Sequence, residues 1–142
     1  MIFWIFNHEH FHSTLDQKKK YQRSTLKETE ARLHFNNLLV KVSEEKLYLD
    51  PNLTLGKLAG MLCILPLHLS QIINDRCKQN FSDFINSYRI EEAKEKLASQ
   101  KYEHLTIACI ARESGFNSIS SFNTAFKKKY NITPSQFRPC SD

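Results

Sequence analysis

Glycine and proline are scarce in this chain, with three and four among 142 residues. Strands and tight turns need more such breakers, so the chain is predicted to be mostly helical. The length fits one compact domain, or two small lobes sharing a linker, and argues against a catalytic fold with a deep cleft. No two of the four cysteines, Cys63, Cys77, Cys109 and Cys140, stand in C-x-x-C spacing. Three of them fall in helical patterns beside apolar neighbours, which predicts buried free thiols in a reducing cytosol. His8, His10 and His12 lie close together, yet no cysteine or carboxylate cluster completes a metal site with them. No metal, cofactor or small-molecule site is therefore expected. Long apolar runs are missing too: "MIFWIF" at the start falls far short of the roughly 20 residues that span a bilayer. It also lacks the basic flank and small-residue cleavage site of a signal peptide.

What the chain does have is positive charge, unevenly placed. The formal net charge is +5 and the sequence pI about 9.0, a balance that permits a polyanionic partner. Residues 1–50 carry 8 basic and 7 acidic side chains, whereas residues 51–142 carry 12 and 8. The excess sits in the second part.

Residues 11–24 are polar and basic, with Lys18, Lys19, Lys20 and Arg23, and read with the apolar start as a flexible segment over 1–24. Thr25 stands three residues before Glu28, the spacing of a capping box. An accessory helix is predicted over 26–46, inside a segment 25–49, with Ala31, Phe35, Leu38, Leu39 and Val42 as its apolar stripe. Asp50-Pro51 ends it, and the main domain is placed at 50–142.

That domain contains an internal repeat. "LTLGKLAGMLCI" at 53 lies over "LTIACIARESGF" at 105, a shift of 52, and "LSQIINDRCKQNFSDF" at 69 lies over "FNTAFKKKYNITPSQF" at 122, a shift of 53. Leu53, Thr54, Ala59, Ser82 and Phe84 recur as Leu105, Thr106, Ala111, Ser135 and Phe137. Each unit predicts a short helix capped by Thr54 or Thr106, a turn of three or four residues, and a second helix at a steep angle. Gly115 supplies the positive φ past the first helix of the later unit, and the next helix starts near Ser118. Between the units, Phe81, Phe84, Ile85, Tyr88, Ala93 and Leu97 mark one face of a helix over 81–98, capped by Asn80 or Ser82. Eighteen residues span roughly 27 Å, close to the ~34 Å over which a major groove returns to the same side of B-DNA.

On the second helix of the later unit, about 118–130, Phe122, Ala125, Phe126 and Tyr130 share one side at 100° per residue. Ser120, Thr124, Lys127 and Lys128 point the other way, where hydroxyls can bond base edges and lysines can neutralise phosphates. In the earlier unit's second helix, about 66–78, Leu69, Ile72, Ile73 and Cys77 face inward. Leu67, Ser70, Gln71, Asn74 and Lys78 look outward; Gln71 suits a bidentate bond to adenine and Leu67 a thymine methyl. Arg76 falls near the apolar side and is left off the contact surface. Glu91, Glu92 and Glu95, interspersed with Lys94 and Lys96, read as a solvated face.

At these residues the sequence resembles the DNA-binding domain of the AraC/XylS family of bacterial transcription regulators. The likeness covers about residues 51–138 through "LTLGKLAGML", "HLSQIIND", "NFSDFINSYRIEEAKEKL" and "LTIACIARESGFNSISSFNTAFKKKYNITPSQFR". It implies an all-α, seven-helix fold: two homeodomain-like helix-turn-helix lobes on a long linker helix, here with an extra N-terminal helix. It also implies sequence-specific binding of double-stranded DNA in the cytoplasm, promoter regulation often as an activator, and RNA polymerase as a second partner. Carried over by position, base contacts fall on Leu67, Ser70 and Gln71, and on Ile119, Ser120, Ser121 and Thr124. Phosphate contacts fall on Asn74, Lys78, Lys127, Lys128 and Lys129. Cys63 and Leu65 depart from the family's turn glycine and capping serine, so the first turn is expected to be the less stable. Upstream, the chain is similar to a branch in which the reader follows a membrane-embedded sensor, with "MIFWIF" as the tail of a membrane helix and the reader tethered to the inner membrane; a truncated start explains the same residues.

Two other functions compete. A helical protein-interaction module would use Leu67, Ile119 and their neighbours on a partner helix. An enzyme is disfavoured, because "RPCSD" places Cys140 after a proline with no histidine or arginine following to activate a thiolate.

Overall fold

The computed structural model describes residues 27–139. Seven α-helices follow in order, and no strand occurs among the described residues: α1 Glu28–Glu44, α2 Leu55–Met61, α3 Pro66–Cys77, α4 Phe81–Ala98, α5 Ile107–Glu113, α6 Ile119–Tyr130 and α7 Pro134–Phe137. Short 3₁₀ turns at Leu47–Leu49 and Gln100–Tyr102 join α1 to α2 and α4 to α5. The apolar start, the histidine run, the basic connector and Cys140 lie outside the described residues.

The repeat is visible in the backbone. Helices α2 and α5 are each 7 residues long, α3 and α6 each 12. Thr54 Oγ1 accepts from the Lys57 N–H at 3.2 Å and Thr106 Oγ1 from the Cys109 N–H at 3.1 Å, so both first helices start on the expected caps. Helices α3 and α6 end alike, on Lys78 and Asn131 in the left-handed region, each N–H closing on a carbonyl four residues back at 2.9 Å. The axis bends by 98° between α2 and α3, the steep angle of a helix-turn-helix. The later turn, 114–118, is one residue longer than the predicted maximum, which is where the shift of 52 becomes 53.

Two cores form, and α4 serves both. Leu38 and Val42 of α1, Leu58 and Ala59 of α2, Leu69 and Ile73 of α3, and Phe84, Ile85 and Tyr88 of α4 make the first. Ile90, Ala93 and Leu97 of α4 meet Ile110, Ala111, Phe116, Phe122 and Phe126 in the second. The linker helix runs over the predicted residues and starts on Asn80, whose Oδ1 accepts from the Asp83 N–H at 2.8 Å. Ile90 completes its inward face.

Several expectations need correction. Helix α1 has Lys27 at its N-cap with no side-chain cap bond, which makes Glu28 the first helical residue rather than the third member of a capping box. Cys63 is exposed, not buried, because it occupies the turn at φ 55° instead of a helix face. Cys77 and Cys109 are half-buried and free, and burial pushes the Cys77 thiol up to about 11. Glu91 and Glu92 are not part of a solvated face, whereas Glu95 is exposed as expected. Glu92 accepts from the Tyr48 hydroxyl at 3.0 Å and from Lys46 at 3.3 Å, while Glu91 accepts from the Tyr130 hydroxyl and pairs with Lys129 at 2.6 Å. These carboxylates tie α4 to the segment after α1 on one side and to α6 on the other.

That arrangement has a pH signature. Burial pushes both carboxyls upward, but hydrogen bonds from Lys129 and Tyr130 to Glu91, and from Tyr48 and Lys46 to Glu92, outweigh it and hold both below the ordinary carboxylate range. A depressed folded-state pKa gives stability that is complete above the unfolded value of about 4.3 and is lost as pH falls through the folded value. Thermal melts followed by circular dichroism are expected to be flat from neutrality to about pH 5 and to fall steeply below it. In Glu91→Gln/Glu92→Gln the neutral-pH melting point is lower and the acid limb shallower; an unchanged acid limb would show that these ties carry no stability.

Candidate nucleic-acid interface

The outer faces of α3 and α6 carry the residues singled out in the sequence. On α6, Ile119, Ser120, Ser121, Thr124, Lys127 and Lys128 are exposed, while Phe122 and Phe126 are fully buried. The helix starts on Ser118, whose Oγ accepts from the Ser121 N–H at 3.1 Å and donates to Ser121 Oγ at 2.9 Å. Ser121 therefore belongs to the cap as well as to the outward face. On α3, Leu67 is 65% exposed and Lys78 is exposed, whereas Ser70, Gln71 and Asn74 are half-buried. This helix starts on Leu65, which offers no side-chain cap, and so its first N–H groups lack the acceptor that Ser118 gives α6.

Charge is arranged differently from the sequence expectation. Lys127 has no carboxylate partner among the described residues and borders an open groove beside α7 with Thr124, Asn123 and Ser135. Lys128 reaches Asp83 on α4, with Nζ 3.2 Å from each carboxylate oxygen. Lys129, expected on phosphate with its neighbours, is engaged in the free chain by Glu91 and by the Ser87 carbonyl at 3.5 Å. Its place in the 3.6-residue cycle turns it toward α4, and a buried-side carboxylate waits there. Arg76 pairs with Glu28 of α1, in keeping with its position near the apolar side.

A residue that sequence reasoning passes over holds the two lobes in register. Arg89 of α4 donates from Nε to the Tyr48 carbonyl at 2.7 Å and from Nη2 to the Asp50 carbonyl at 2.8 Å. Its guanidinium stands 5.8 Å from the Phe116 ring centre. Burial lowers its pKa, which the Asp50 charge partly offsets. Asn117 Nδ2 donates to the Pro51 carbonyl at 2.8 Å. The loop before α2 thus bonds to the linker helix and to the turn of the second lobe. The guanidinium offers two separated donors to two carbonyls, and nothing in the sequence around Arg89 marks those carbonyls.

Residues 58–139, more than half of the chain, match the model of a helix-turn-helix domain family. The chain belongs to the AraC-type helix-turn-helix family. The C-terminal domain of the response regulator yesN from Fusobacterium nucleatum superposes with a TM-score of 0.61 at 31% identity, covering 78% of this chain and 99% of that one. The C-terminal domain of the response regulator AraT from Geobacillus stearothermophilus gives 0.61 at 30% identity, covering 76% and 82%. An HTH-type transcriptional regulator of Staphylococcus aureus is 34% identical over 93 residues, 66% of this chain. The regulatory protein PocR of Salmonella typhimurium is 29% identical over 91 residues, 64% of this chain and 29% of its own length. The chain spans 12% of the length of its Staphylococcus relative. AraC-type domains form a family of transcription regulators, not of enzymes. Among the described residues no single helix is long and apolar enough to cross a membrane.

Proposed function

We propose that the chain binds double-stranded DNA in a sequence-specific manner and regulates transcription, seating α3 and α6 in successive major-groove segments. The observation that carries this reading is the duplication itself. Two helix-turn-helix units, on separate cores joined by one helix of 18 residues, each leave one face of the second helix outside the core, with Leu67 and Lys78 exposed on α3 and Ser120, Thr124 and Lys127 exposed on α6. Leu67, Ser70 and Gln71 read bases from α3, and Ile119, Ser120, Ser121 and Thr124 from α6. Lys78, Lys127, Lys128 and Lys129 hold phosphates, with Asn74 beside them, and Lys129 also braces α6 on the linker through Glu91. Bound at a promoter, the chain acts within reach of RNA polymerase.

Fluorescence anisotropy with duplexes selected from a random pool tests this. With roughly six phosphates neutralised, log K should fall against log salt with a slope near −5. Lys127→Ala/Lys128→Ala should weaken all duplexes alike and flatten that slope by about 2. Gln71→Ala or Thr124→Ala should cost about 1–3 kcal/mol on the selected duplex and little on a scrambled one. Selection that yields no preferred sequence would rule the reading out.

A further inference from the structure

An open groove of about 410 Å³ lies between the two reading helices, with Lys78 at the end of α3 on one side and Lys128 and Lys129 of α6 on the other. Its floor is the first half of α4, including Asp83, Asn86 and Ser87. Between two successive major-groove insertions a duplex turns its sugar-phosphate backbone toward whatever joins the inserted helices. On the seating proposed above that element is α4, and the groove over its first half holds lysines from both lobes.

The charges in it are not equivalent. Lys129 is committed to Glu91 at 2.6 Å, and Lys78 is exposed at the end of α3. Lys128 is held by Asp83 through both carboxylate oxygens at 3.2 Å, yet the two side chains remain 69% and 38% exposed. An ion pair that open to water adds little to stability. Nor does Asp83 need its charge to start α4: its backbone N–H bonds Asn80 Oδ1 at 2.8 Å, and Asn80 Nδ2 donates to its side chain at 3.2 Å, a bond an amide oxygen would also accept. The carboxylate is thus a weakly anchored anion placed on a lysine that faces the space between two DNA readers.

We propose that Asp83 is an internal competitor for the DNA backbone. Its carboxylate occupies on Lys128 the place that a duplex phosphate takes, so one lysine contact is withheld until the backbone displaces it, and the sequence-independent part of the affinity is kept low. This rests on the DNA-binding reading above and adds to it a negative regulator of affinity that belongs to neither reading face.

Full-length Asp83→Asn, compared with wild type, tests it by anisotropy against a duplex selected by the wild type and a scrambled duplex, across a salt series. With the competitor gone, binding should tighten roughly fivefold to tenfold near 0.1 M salt, and the log K against log salt slope should steepen by up to about 0.9, because in wild type the displaced Asp83 takes up cation as the phosphate gives one up. Both duplexes should gain alike, because bases are untouched, and the melting point should fall by no more than a few degrees, the cost of losing a first-turn carboxylate at a helix N-terminus. The gain should shrink in a Lys128→Ala background and should exceed that of Glu95→Gln, which removes an equal charge from an exposed position in the far half of α4. An equal gain in both backgrounds, a gain no larger than that of Glu95→Gln, or unchanged binding by a folded Asp83→Asn protein overturns the competitor while leaving DNA binding intact. Failure of the wild type to bind either duplex at low salt would remove the DNA-binding reading and this proposal with it.

Discussion

Gly115→Ala is expected to be the most destabilising single methyl that can be added to this chain. Gly115 sits at φ 96°, a conformation that L side chains rarely adopt. A Cβ there would lie 2.3 Å from the Tyr48 carbonyl oxygen, 2.9 Å from Arg89 Nε and 3.1 Å from Leu49 Cα. None of these can step aside cheaply. Tyr48 is buried, its ring stacks on Tyr88 at 5.6 Å, its hydroxyl is held by Glu92, and its carbonyl accepts from Arg89. Relief therefore means moving the backbone of 47–49 and breaking the Arg89 bond, which leaves a half-buried charged donor short of a partner. Left-handed strain of about 1 kcal/mol, and about 1–3 kcal/mol for the lost bond, come before any cost of repacking. Against a total stability of about 5–15 kcal/mol, a fall in Tm of more than about 10 °C is expected for a domain of this size.

Controls are built into the same chain. Gly56 and Gly60 lie in α2 with nothing within 4 Å of the place an added methyl would take, so Gly56→Ala and Gly60→Ala should be neutral or stabilising. Cys63, the counterpart of Gly115 in the first unit, holds φ 55° and is exposed; Cys63→Gly should raise stability modestly by relieving the same strain without any clash. Chemical unfolding of the four variants reads these differences directly. If Gly115→Ala came within about 0.5 kcal/mol of wild type, a range ordinary for surface substitutions, the contact between the turn and residues 48–49 would not be the one described.

The repeat explains why so much of the fold is legible in the sequence. Thr54 and Thr106, Cys63 and Gly115, and the apolar faces of α3 and α6 are local features repeated at a fixed shift, so each copy checks the other. The linker helix is legible for a similar reason, since Asn80 caps it locally and its apolar residues keep one periodicity from Phe81 to Leu97. What escapes depends on partners distant in sequence. Arg89 meets carbonyls 41 and 39 residues away, and Glu92 meets a tyrosine 44 residues away. A charged side chain on a helix gives no sign of whether water or a remote carbonyl will receive it. Lys129 escapes on the same ground, because three adjacent lysines look alike until α4 supplies Glu91 to one and Asp83 to another. Of the candidate contacts, the exposed face of α6 is readable from phase alone; the half-buried state of Ser70 and Gln71 follows from how α3 lies in its lobe.

Phe126→Ala should separate the lobes energetically and thereby show how reading depends on packing. Phe126 is fully buried, with ring centres of Phe122, Tyr130 and Phe137 at 5.7, 5.0 and 5.5 Å. Truncating a buried phenylalanine costs about 3–5 kcal/mol, most of what a lobe of this size can hold. The first core contains no part of α5, α6 or α7, so the loss should concentrate in residues 105–137. Amide exchange is expected to rise sharply across α5 and α6, while Leu69, Ile73 and Phe84 in the first core keep most of their protection, with α4 grading between the two. Since α6 can offer its hydroxyls to bases, and Lys127 and Lys128 to phosphates, only while Phe122 and Phe126 hold that helix down, duplex affinity should drop with the population of folded second lobe, and sequence preference should drop further. Equal loss of protection in both lobes would mean that α4 and Arg89 couple them into one cooperative unit. Unchanged affinity with a molten second lobe would remove α6 from the reading surface altogether.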